Sequence, residues 1–272
     1  MFHIAKTEWL KIKRYPAFWW VMGITALTYP GINYMFHSVY NNITEKDTQK
    51  GKILKMLIGN PFSFPEAWHT VAYFSSIFVF IPAIVVIMLI TNEYTYKTSR
   101  QNIIDGWSRN EFMLAKMIDV LLLTVIVTVL FAIVAFIIGY TNTDDHTVSH
   151  WNMSYYTGLF ALQTFSQLSI AFTVGLLVRK SFIALAIFTF YFIIVEPIAV
   201  NVLKIKFNSE AGQFLPLEIS QKLLPKPAFI GRLDEAGYQA SLIAVKYHVG
   251  YTLALVALTW LFCFWLYKKR DL

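Results

Sequence analysis

The sequence has 272 residues, of which 57% are hydrophobic and 17% aromatic, while 14% are charged, against roughly a quarter charged in ordinary soluble domains. Such a chain cannot cover a water-facing surface, and this excludes the soluble enzyme and binding classes. Its net charge of +7 would suggest nucleic acid in a soluble protein, but here it follows the distribution of Lys and Arg around membrane spans, so no nucleic-acid partner is expected.

Residues 1–16 set Ile4, Trp9, Leu10 and Ile12 against Lys6, Lys11, Lys13 and Arg14, the pattern of an interfacial amphipathic helix. A secretory signal would need a small-residue cleavage site after a short apolar stretch, and none stands out. Pro16 marks a break before a first span at about 17–37. Apolar runs such as 71–90 and 120–139 reach the roughly 20 residues that cross about 30 Å of hydrocarbon as helix, and they lack the period of two of barrel strands. The remaining spans are predicted at 69–91, 117–140, 154–178, 181–203 and 248–267. The predicted fold is thus an all-α integral membrane protein, one transmembrane domain over 1–272 with six helices. The lone cysteine, Cys263, leaves no disulfide framework within one chain. With the N-terminus in the cytoplasm, thirteen of the 23 Lys and Arg fall inside and the short 141–153 loop has none, so both termini are placed in the cytoplasm.

The stretch 92–116, NEYTYKTSRQNIIDGWSRNEFMLAK, is polar enough to leave the membrane and reads as two short helices bent at Gly106. Ser108 fits the N-cap of the second helix, with Glu111 as its capping-box partner. Exposed Ile103, Ile104 and Trp107 would form a docking knob for another protein; an ordinary solvated loop is the other reading. In the fourth span Gln163, Ser166, Gln167, Ser169 and Thr173 fall within one arc, which must face protein or a water-filled path. Helix packing and pathway lining explain the arc equally in kind. Glu196, beside Pro197, is a candidate pathway carboxylate or an interfacial residue, and Asp119 has the same two readings. The segment 204–247 is predicted outside, with a short amphipathic helix between Gln213 and Pro225. His146 and His150 stand four apart beside Asp144 and Asp145, but without a third fixed ligand no metal site is assigned.

The order of Glu93, Thr98 and Arg100, then Gly106, Ser108 and Arg109, then Lys116 opening the third span, resembles the type 2 permeases of ATP-binding-cassette (ABC) transporters. The resemblance extends over the interfacial helix, the six spans and the large segment before the last one. Such permeases often carry Gly where this chain has Lys97, and Pro where it has Trp107. The resemblance implies that 93–109 is a coupling helix seated on a separate ATPase, with Glu93, Thr98, Arg100, Ile103, Ile104, Gly106, Trp107, Ser108 and Arg109 as coupling residues. It also implies two ABC ATPase subunits, a second permease subunit, identical or related, and a place in the bacterial cytoplasmic membrane among its lipids. No catalytic residue or cofactor is assigned to this chain. ATP and Mg would be bound by the partner, since there is no G-x-x-x-x-G-K-[ST] loop and Gly51-Lys52 is followed by Ile53. The expected activity is export of a hydrophobic or amphipathic substrate. An ATP-independent carrier or channel, or an intramembrane enzyme, is the alternative; the first would show matching repeats and the second paired catalytic motifs, and neither is evident.

Overall fold

Proline punctuates this chain. In the computed structural model, which describes residues 2–44, 59–143, 149–207, 209–231 and 234–269, helix α1 (Phe2–Lys13) ends just before Pro16, which opens α2 (Pro16–Thr44). Proline has no N–H to give and its φ is preset for a first helical turn. The second predicted span is two helices, α3 (Ala67–Ser76) and α4 (Phe80–Thr95), bent by 49° at their junction. Pro82 explains the bend, because it cannot donate to Phe78 O and its ring crowds that carbonyl. The chain crosses the break with tighter bonds instead, Phe78 N to Ser75 O, Val79 N to Ser76 O and Ile81 N to Phe78 O.

Next come α5 (Thr98–Ile104) and α6 (Arg109–Thr141), separated by Gly106 at φ +99°, a conformation that suits glycine. The Ser108 side chain accepts from Glu111 N and the Glu111 carboxylate accepts from Ser108 N, completing the capping box. Helix α7 (Tyr156–Val178) is joined to α8 (Ser181–Phe190) by Arg179 and Lys180 alone. Ahead of Pro197 the chain widens into a π-turn, Tyr191–Val195, and resumes as α9 (Glu196–Lys206). The cause is again the missing proline N–H, which leaves Ile193 O without its helical partner. A 3₁₀ turn (Glu210–Phe214) and the short helices α10 (Pro216–Gln221) and α11 (Ala228–Gly231) lead to α12 (Glu235–Lys269).

Helix α7 is the axis of the bundle: α3, α4, α6, α8, α10 and α12 all pack on it. Over half of its apolar stretch is buried, against a third or less in α6, the α8–α9 unit and α12. Those other helices leave Val125, Val129, Ile194, Leu258 and Leu261 exposed, as lipid-facing surfaces require. The described residues contain helices and turns but no strand.

Among the described residues four helices are long and apolar enough to cross a membrane, α6, α7, α8–α9 and α12, and the bent α3–α4 pair makes a fifth. The chain is a multi-pass helical membrane protein. Helix α2, the predicted first span, is 29 residues long and carries Tyr, Asn, His and Thr along its length, and it is not among these helices. Its helix also continues past the predicted end at residue 37, through Thr44. The last span, predicted from 248 to 267, lies within a longer helix: α12 begins at Glu235 and runs 35 residues. Polar residues such as Gln239, Lys246 and His248 mask its first turns in the sequence, whereas His248 is buried by packing against α10.

Candidate functional site: a buried ionic cluster beneath the α5 elbow

Lys116 lies on the first turns of α6, one helical turn before Asp119, so the two side chains share a face. That face is covered by α1 and by the end of α4, which bring Glu8 and Glu93 to the same ammonium. Lys116 Nζ lies 2.5 Å from Glu8 Oε2, 2.8 Å from Glu93 Oε1 and 3.2 Å from Asp119 Oδ2. All four residues are at most 5% exposed. Half-buried Lys11 closes the ring, 2.8 Å from Glu8 Oε1 and 3.5 Å from Glu93 Oε1. Three carboxylates therefore surround two ammonium groups.

Burial alone would push the Glu8 carboxyl up, but the Lys116 charge, a hydrogen bond with Asp119, and the Lys11 charge with its hydrogen bond outweigh it and hold Glu8 down at about 2. Glu93, buried as well, faces the same two lysines, Lys116 and Lys11. The Thr98 hydroxyl donates directly to the Glu93 carboxylate. Helix α5 thus begins with its first residue hung from the cluster. Lys97, just before it, is forced to φ +55°.

The predicted coupling residues occupy different environments around this elbow. Ile104 is 77% exposed, and Arg100 and the turn at Gly106 are exposed as well. Ile103 and Trp107, expected to be exposed beside Ile104, are instead half-buried. Trp107 folds back under the elbow, with Lys11 Nζ 5.9 Å from its ring centroid. Ser108 caps α6, and Arg109 reaches across to donate to the carbonyls of Tyr267 and Lys268 at the end of α12. There Phe112 stacks on Tyr267 with centroids 4.9 Å apart. One end of the bundle therefore gathers α1, α4, α5, α6 and α12 around a single set of charges.

The predicted pathway residues divide. Ser169 accepts from Trp260 Nε1 at 3.0 Å, and Thr173 Oγ1 is 3.2 Å from Cys263 Sγ, so these two tie α7 to α12. Gln167 Nε2 is 3.5 Å from Ser220 Oγ on α10. Ser166 Oγ and Gln163 Oε1 are buried without a hydrogen-bond partner among the described residues, and Gln163 lies at a cleft described below. Glu196 is 3% exposed and accepts from Leu217 N at 2.8 Å and Glu218 N at 2.6 Å, capping α10 from the side. His69 donates to Pro225 O and His248 to Ile219 O, so three spans clasp the segment that contains α10. Asp144, Asp145 and His146 lie outside the described residues, while His150 accepts from Trp68 Nε1 through its carbonyl.

Reading residues alone missed Glu8 and Lys11 as members of the cluster. The only signal for them was a charge placed among the apolar positions of the amphipathic α1, because Glu8 and Lys116 are 108 positions apart. A search of curated proteins gives no match. A family model described as an ABC-2 family transporter protein matches residues 4–195, from α1 to the end of the π-turn, and so includes the whole cluster.

Proposed function

The chain belongs to the ABC-2 family of transporters, and we propose that it is the transmembrane permease subunit of an ABC exporter driven by separate ATPase subunits. The observation that carries this reading is the ionic cluster with α5 attached to it. A partner that bears on exposed Ile104 displaces α5, and the Thr98–Glu93 hydrogen bond passes that displacement to the ends of α4, α6 and α1. Buried charges held by several partners resist separation, so the elements they join move together. The cluster acts as a stiff joint between a docking surface and the spans.

In this reading α2 is the first of six spans, both termini are cytoplasmic and 93–109 is the coupling segment. Two permease subunits enclose one pathway in the bacterial cytoplasmic membrane, and ATP and Mg are bound by the two ATPase subunits. Cargo is hydrophobic or amphipathic, in keeping with spans whose exposed side chains are aliphatic and aromatic.

The test is purification of the protein co-expressed with its genomic neighbours. Wild type is expected to bring down an ATPase and its activity; Ile104→Asp is expected to lose both while remaining monodisperse, since the side chain it changes is 77% exposed. If no neighbour supplies an ATPase and none co-purifies, the reading fails in favour of an ATP-independent carrier or an intramembrane enzyme.

A further inference from the structure

Two irregular helices of this protein meet. The bend between α3 and α4 and the π-turn before α9 border one cleft of about 370 Å³, whose wall includes Tyr73, Ser76, Phe80, Gln163, Phe192 and Gln221. Helix irregularity at membrane depth persists where the loosened backbone is buried in protein or lines a cavity, and π-turns concentrate at functional sites. The volume falls within the range of small-molecule pockets, roughly 300–1,000 Å³.

The lining specifies a ligand. Phe80 and Phe192, with ring centroids 5.6 Å apart, and the Tyr73 ring offer aromatic walls. None of the described residues that line the cleft is charged, so a charged group would be desolvated there without a counter-charge from them. Gln163 is 1% exposed, and its Oε1 has no hydrogen-bond partner among the described residues; a buried acceptor in that condition is unfavourable, and a donor on the ligand would relieve it. At the rim Ile77 and Ile193 are 45% and 50% exposed, so the approach to the cleft is apolar.

We propose that this cleft binds a neutral amphipathic molecule, an apolar or aromatic body bearing a hydroxyl or amide donor, with Gln163 as its polar anchor. The inference rests on the permease reading for the use made of the ligand, as cargo, but the binding itself is independent of any ATPase. A neutral membrane lipid and a non-lipid compound dissolved in the membrane share this chemistry.

The experiment uses the full chain in phosphatidylcholine nanodiscs without an ATPase, so that failure of the transport reading leaves the result readable. The probe is a monoacylglycerol with a photoreactive diazirine, and the labelled peptides are identified by mass spectrometry. Saturable labelling is expected in 73–80 and 192–197, reduced at least fivefold by Gln163→Leu and by Ser76→Phe, which fills the cleft with Gln163 intact. Size-exclusion profiles identify a variant that has lost its fold, and the second variant then carries the comparison. Protection by excess unlabelled monoacylglycerol alone points to lipid as the occupant; protection by 2-naphthylmethanol as well extends the site to non-lipid compounds. Labelling that does not saturate, that persists in both folded variants, or that is matched by an anionic photoreactive phosphatidylglycerol overturns the proposal.

Discussion

Lys97 shows how one backbone angle constrains residue choice. It holds φ +55° just before α5, at the position where type 2 permeases often carry glycine. A left-handed conformation costs an L-residue about 1–2 kcal/mol, and glycine avoids this at an entropic cost of about 0.5–1 kcal/mol. Lys97→Gly is therefore expected to stabilise the protein by about 0.5–1 kcal/mol, read as a higher midpoint of thermal unfolding in detergent. Glu8 makes a prediction of opposite sense. Its folded pKa of about 2 lies below its ordinary 4.5, so the folded state binds fewer protons, and the stability this contributes is complete above pH 4.5. It is lost as pH falls from there towards 2. Unfolding midpoints measured down this range should fall more steeply in wild type than in Glu8→Gln; equal slopes would show that Glu8 is not held ionised.

At the scale of elements, proline decides where spans bend, and side chains from neighbouring spans decide where short helices sit. Helix α10 has six residues, too few to be stable alone. Its first turn is fixed by the Glu196 carboxylate on Leu217 N and Glu218 N, its Ile219 carbonyl by His248, and the chain just after it by His69 on Pro225 O. Hydrogen bonds to a charged group are worth about 1.5–3 kcal/mol each. Glu196→Gln is thus expected to raise hydrogen exchange at the Leu217 and Glu218 amides by about tenfold or more, with α6 and α7 unaffected. Unchanged exchange there would mean that α10 is held by packing alone.

For the whole molecule, α1 is a structural member of the bundle and not merely a surface anchor, because it delivers Glu8 to Lys116 over α6. Removing residues 1–13 takes Glu8 away from the buried Lys116 ammonium, a defect of about 3–5 kcal/mol. Such a truncation is expected to reach the membrane at much reduced yield and to unfold at lower temperature, as fluorescence-detected size exclusion would report. The sequence by itself determined the membrane class, the boundaries at Pro16 and at Arg179-Lys180, and the Ser108–Glu111 cap. Each of these is written within a few consecutive residues, as apolar run length, a missing N–H or a side chain that reaches its own backbone. Only the tertiary structure decided that Glu8, Lys11, Glu93, Lys116 and Asp119 form one cluster, that Trp107 folds inward while Ile104 faces out, and that the bend at Pro82 meets the π-turn at Pro197 in one cleft. Those outcomes depend on which helix faces pack together around α7, and a contact between residues a hundred positions apart has no periodicity in the chain to announce it.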